Sequence, residues 1–206
     1  YKAIYDFCNE ELSMYYLDMI KGRLYTYANN SLERRSAQTV IYELLKVLVK
    51  IIAPILVFTS EEIFGHLPKE EADRSIASVH LLSWPDTVMG SRQSEDFINP
   101  FKDVIALIPE VARALEDKRS RGEIGSSFDA KINVLTKDEI RYKYLESLEG
   151  DLCEIFKVSE VRIIKEDTIG TRGIRATGFP DIAIEVHKAD GEKCVRCWNY
   201  SQTVGR

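Results

Sequence analysis

Cys194 and Cys197, three positions apart near the end of the chain, are the residues whose type and spacing could hold a metal. Two thiolates at that separation supply half of a tetrahedral zinc ribbon, and a structural site needs two further ligands. A redox pair of the same spacing belongs at the start of a helix beside a βαβ pattern. This pair instead follows an extended run and a turn at Gly191. Arg196, between the cysteines, and Trp198, just after them, could do a second kind of chemistry. An indole stacks on a splayed base, and a guanidinium binds a phosphate or a base edge. The plainer alternative is a Trp packed beneath the ribbon to shield its metal. Lys21 and Tyr25 form another candidate pair, a cation and a ring placed where an RNA backbone could reach them. No catalytic constellation accompanies these residues. His66, His80 and His187 have no metal or nucleophile spacing, and neither a P-loop, a GxGxxG run nor a nucleophile elbow is present. Gly170, Gly173 and Gly178 lack the strand before and the helix after that would make a phosphate cradle.

The elements that must position these groups follow from periodicity. Residues 4–27 predict a first helix. At about 100° per residue, Leu12, Tyr16, Leu17, Met19, Ile20, Leu24 and Tyr27 fall on one broad arc. Met14, Asp18, Lys21 and Tyr25 fall opposite, facing solvent or a partner. Arg23 lies inside the apolar arc and needs a carboxylate there, for which Glu61 or Glu62 is the expected source. Asn30 and Glu33 have capping-box spacing for a second helix. Its core stripe is Ala37, Val40, Ile41, Leu44, Leu45, Leu48, Ile51 and Ile52. Arg34 and Arg35 sit in its first turn, the wrong end for a cation, which a local carboxylate, an RNA phosphate or plain solvation would offset. Pro54 ends or kinks this helix. Thr59 and Glu62 open a short third one, and residues 79–85 form an extended strap with Trp84 in the core. Residues 89–94 read as a linker.

Beyond the linker, Asn99 and Pro100 predict a helix start. The helix carries Phe101, Val104, Ile105, Ile108, Val111, Ala112 and Leu115 and stops at Gly122. The basic run from Lys118 to Arg121 suits the negative end of a helix dipole, which explains it without RNA. A strand at 130–135, a helix at 137–149, strands at 160–165 and 182–187, and a Gly- and Thr-rich mobile hairpin or loop at 168–180 make a small α+β unit.

Bulk properties narrow the class. With 206 residues, 45% hydrophobic and 30% charged, the chain has ample material for a core. A net charge of −5 argues mildly against a general nucleic-acid binder. No apolar run approaches the roughly 20 residues of a membrane span, and the first residues lack a signal-peptide pattern. Four unevenly placed cysteines suit a reducing compartment. A cytoplasmic monomer with no membrane partner is therefore expected. The chain opens inside a helix without Met and stops just after the cysteine pair, so it reads as a fragment.

Three stretches resemble the anticodon-binding helical domain of class I aminoacyl-tRNA synthetases. They are Leu12-Ser13-x-x-Tyr16-x-Asp18-x-x-Lys21-x-Arg23-Leu24-Tyr25, then Arg34-Arg35-Ser36-Ala37-Gln38-Thr39, then Ala53-Pro54-Ile55-Leu56-Val57-Phe58-Thr59-Ser60-Glu61-Glu62-Ile63. Together with Gly191-Glu192-Lys193-Cys194-Val195-Arg196-Cys197-Trp198, they are most similar to the bacterial-type isoleucyl-tRNA synthetases. The resemblance implies a mostly α fold: a helical-bundle anticodon-binding domain at 1–92, a small α+β domain at 93–187 and the first half of a zinc ribbon at 188–206. It implies isoleucine tRNA as partner and Arg196 and Trp198 as contacts to the anticodon loop; Lys21 and Tyr25, the cationic and aromatic end of the first helix's non-core stripe, are expected to join them in one RNA surface. In that family a second cysteine pair completes the zinc site. With Cys194 and Cys197 alone, weak zinc and a loosely held tail after Asp190 are expected. ATP and magnesium would belong to a catalytic domain, since the family's HIGH and KMSKS signatures do not occur here, and the chain alone is expected to be inactive. The corresponding region of a valyl- or leucyl-tRNA synthetase, or a helical interaction module without RNA, are the competing readings.

Overall fold

A computed structural model of the chain describes residues 1–69, 71, 74–85, 95–169 and 172–205. They divide into two compact units, Tyr1–Arg92 and Gln93–Arg206. The first is helical. The expected opening helix is not one α-helix: it runs as α1 (Lys2–Asp6), a π-helical stretch (Phe7–Tyr16), α2 (Leu17–Met19) and α3 (Lys21–Tyr25). In the π stretch the ladder closes five residues back, as where the Leu17 N–H meets Leu12 O. That winding shifts the face on which each side chain falls. Leu12, Tyr16 and Leu17 are only half-buried, and Ile20, where the ladder breaks, is the buried residue of the arc. Arg23 lies close enough to Tyr16 to temper the rise that burial imposes on that phenol's pKa.

Helix α4 (Leu32–Ile52) begins one residue later than the sequence suggests, because the Ser31 hydroxyl rather than Asn30 accepts the Arg34 N–H, at 3.3 Å. The Arg34 guanidinium donates to Tyr27 O at 3.0 Å and ties down the turn after α3. Helix α5 (Val57–His66) starts two residues ahead of Thr59 with no side-chain cap, so the expected capping box there is not formed. The core of this unit is small: Val49, Ala53, Phe64 and Val79, with Ile63, Leu67, Ile76 and Leu82 against them. Val40, expected in the stripe, is exposed. The strap holds a 3₁₀ turn at Val79–Leu81, fixed by Glu61, whose carboxylate accepts from Ser78 Oγ at 2.8 Å and from the Val79 N–H at 3.2 Å. Trp84 is a correction: its ring is 65% exposed, not in the core. The expected linker at 89–94 lies outside the described residues.

The second unit opens with α6 (Glu95–Ser120), which starts before Asn99 and carries Pro100 and Pro109 within it. Its buried stripe includes Leu107 and Ala114, while Ala112 faces solvent. Gly122 stops it as expected, with its N–H on Arg119 O and the Glu123 N–H on Lys118 O. A sheet of order β2-β1-β4-β3 follows, from β1 (Ala130–Thr136), β2 (Glu160–Lys165), β3 (Ile174–Arg175) and β4 (Ile182–Lys188). β1 pairs parallel with β2 and antiparallel with β4. Parallel neighbours need a helical crossover, here α7 (Glu139–Ser147), capped by Asp138, and α8 (Glu149–Phe156). The single helix predicted at 137–149 is therefore two helices reaching Phe156. Residues 174–175, in the stretch expected to be a hairpin or loop, pair antiparallel with β4 and add β3 to the sheet edge. β1 and β4 each bury five of their seven residues because neighbouring strands flank both and helices pack on the sheet. Among the described residues no helix is long and apolar enough to cross a membrane.

Candidate functional site

The cysteines lie in a hairpin of β5 (Glu192–Lys193) and β6 (Tyr200–Ser201). Gly191 begins it at φ +91°, where a Cβ would stand 2.4 Å from the Ser201 carbonyl oxygen, so only glycine lets the strands close there. The Cys194 N–H donates to Asn199 O at 2.9 Å, and the Trp198 N–H returns to Cys194 O at 2.9 Å. These two bonds fold residues 194–199 into a tight knuckle. The backbone N–H groups of Cys197 and Arg196, then the Cys197 thiol, point at the Cys194 sulfur and hold its pKa below the usual thiol range. Such donors stabilise a thiolate, the form that binds metal. The pair thus fits two corners of a tetrahedral zinc site. Among the described residues no group of three or more His, Cys, Asp and Glu side chains is arranged to hold a metal. Cys153 is no reserve ligand, since burial pushes its thiol pKa up. The tail after Asp190 forms a hairpin joined to the turn before β2 through Ser159, whose Oγ accepts the Tyr200 N–H at 2.7 Å.

Trp198 adopts φ +67°, the left-handed region that a bulky side chain rarely enters. Its indole is 60% exposed, so it does not pack beneath the knuckle. Arg196 and Val195 are exposed on the same turn. In the first unit Lys21 and Tyr25 share α3. The Lys21 ammonium lies 2.7 Å from Asp18, and Tyr25 is 74% exposed. The candidate residues therefore come together in pairs, one pair on each unit. The basic run after α6 is neutralised locally, Lys118 by Glu123 at 2.7 Å and Arg121 by Asp117 at 2.9 Å. Ser159 escaped the sequence reading because a lone serine ahead of a strand carries no pattern.

A family model described as the anticodon-binding domain of tRNA ligase matches residues 1–134. The chain belongs to this family. The match runs through the whole first unit and on through α6 into β1. A second model, the zinc finger found in FPG and IleRS, matches residues 191–206, the knuckle and its flanks. Among similar proteins, the isoleucine–tRNA ligase of Natranaerobius thermophilus is 40% identical over 99% of this chain. That of Moorella thermoacetica is 41% identical over 100% of it, and that of Thermotoga petrophila 37% over 99%. The chain spans 22% of the length of the first two and 21% of the third. It corresponds to their C-terminal anticodon-binding region and zinc finger, and does not cover the catalytic domain.

Proposed function

We propose that this anticodon-binding chain works as part of an isoleucine–tRNA ligase, seating the anticodon stem and loop of isoleucine tRNA. Chemistry on ATP, magnesium and isoleucine belongs to a catalytic domain outside these residues, and the enzyme acts as a cytoplasmic monomer. The observation that supports this reading best is Trp198, a large aromatic held exposed at φ +67° on the knuckle. Backbone strain of this kind persists where a side chain must be presented in one direction. Trp198 stacks on an unpaired base, and Arg196 binds a phosphate or base edge beside it. Lys21 contacts a phosphate, exchanging its partner Asp18 for the RNA, and Tyr25 lies against the backbone. Cys194 and Cys197 would hold zinc with two ligands from outside the described residues, and the metal would brace the turn as a cross-link. The three 1–92, 93–187 and 188–206 segments then divide the work into stem binding, support and loop reading.

Two variants of the full-length ligase test this. Trp198→Ala is expected to lose about 1–3 kcal/mol of tRNA binding, more for an isoleucine anticodon than for an altered one. Lys21→Ala weakens binding evenly for both tRNAs and flattens its salt dependence. Unchanged binding of both tRNAs by both variants would mean that the anticodon is read elsewhere.

A further inference from the structure

Just ahead of the hairpin that carries Cys194, Cys197 and Trp198, the Ala189 N–H donates to Asp129 O at 2.8 Å and Lys131 pairs with Asp190 at 2.5 Å; within the hairpin, a hydroxyl group meets β6. Ser159 stands in the turn between α8 and β2, and its N–H donates to Ala130 O at 3.0 Å, holding it against the start of β1. Its Oγ–H donates to Phe128 O at 2.5 Å. The same oxygen accepts the Tyr200 N–H at 2.7 Å, from the first residue of β6. A hydroxyl can donate and accept together, and Ser159 uses both capacities. Tyr200 faces Lys193 across the hairpin, and the Cys194 and Trp198 amides close the turn between them. Where Tyr200 is held, the turn must follow. A second tether within the hairpin is looser: the Lys193 ammonium stands 3.8 Å from Asp129 and 5.9 Å from the centre of the Tyr200 ring. A pair at that distance, with its ammonium half in solvent, directs less than a hydrogen bond at 2.7 Å.

We propose that Ser159 is the positioning residue of the knuckle. Its hydroxyl fixes the direction in which Trp198 and Arg196 are presented, and so sets anticodon discrimination without touching RNA. This rests on the reading of Trp198 as a base platform. The test uses the zinc-loaded full-length ligase. Hydrogen exchange over residues 192–201, read by mass spectrometry, reports how firmly the hairpin is held. Binding of tRNA with an isoleucine anticodon and with an altered one reports how it is presented.

Ser159→Ala is expected to speed exchange in that segment about tenfold. It should also cut the preference for the isoleucine anticodon about fivefold, with zinc content unchanged. Ser159→Thr keeps the hydroxyl and restores both. Tyr200→Pro deletes the same bond from the other side and reproduces the loss. Exchange equal to the parent's in Ser159→Ala overturns the proposal. Faster exchange with the preference intact overturns it too, because the hydroxyl is then structural only. A parent enzyme that shows no preference between the two tRNAs overturns the Trp198 reading and this proposal together. A parent that discriminates, with Ser159→Ala discriminating equally, overturns this proposal alone.

Discussion

The helical unit and the sheet unit draw on similarly patterned apolar residues and bury them to different depths. In the second unit Ile132, Leu135, Leu152, Ile182 and Ala183 are all 0% exposed, because flanking strands and packed helices close over β1 and β4. In the first unit Leu32 is 79% exposed and Phe58 89%. A helix hides one stripe, and the π winding of Phe7–Tyr16 leaves none of its residues fully buried. Large side chains therefore stay on the surface of the first unit. The first unit is the richer in apolar residues and yet buries fewer of them, so depth of burial follows from how the elements are layered and not from hydrophobic content.

Three experiments sharpen or break this contrast. The largest effect is expected from paired truncations. Leu135→Ala should destabilise the sheet unit by about 2–5 kcal/mol, whereas Leu44→Ala, at a half-buried position of α4, should cost well under half as much. Denaturant unfolding followed unit by unit checks this, and equal losses would dissolve the distinction. A smaller pair comes from glycines. At Gly173, φ is +73° and a Cβ would stand 2.7 Å from Ile184 O, so Gly173→Ala should cost about 1–3 kcal/mol. At Gly65, in α5, a Cβ meets nothing within 4 Å, and Gly65→Ala should raise stability by about 0.5–1 kcal/mol.

The smallest effect is one of pH. Burial acts to raise the Glu185 pKa, but hydrogen bonds from Asn133 and His187 and the charge of Arg172 together hold it below the ordinary glutamate value of 4.5. A depressed carboxylate stabilises the fold fully above its unfolded-state pKa, and that contribution fades as pH falls from 4.5 through the lower folded value. Glu185→Gln should flatten the acid limb of the sheet unit's melting curve and leave the helical unit's limb unchanged. An unaltered acid limb would show that Glu185 does not set it.

Much of this was legible locally. The run Glu160–Lys165 reads as a strand at its observed bounds, because β-branched residues between turns make a short-range signal. The core helix after Ser31 and the stop at Gly122 are legible for the same reason. Trp84 misled because its apolar character says nothing about what covers it, and nothing buries more than about a third of it. Helix α8 was missed because Glu149 and Gly150 look like the end of α7, whereas tertiary packing of Leu152, Ile155 and Phe156 carries the chain on as a helix.

By itself the sequence determined most of the elements, the close spacing of Cys194 and Cys197 and the resemblance to anticodon-binding domains, all of which rest on neighbours within a few positions. Only the tertiary structure decided the strand order, the left-handed placement of Trp198 and the docking of its hairpin. The Tyr200 N–H meets a hydroxyl 41 residues away, at Ser159. The physical reason is that periodicity records which face of one element is apolar. A bond between distant turns forms only when the sheet has brought them together, and it leaves no repeat in the chain to read.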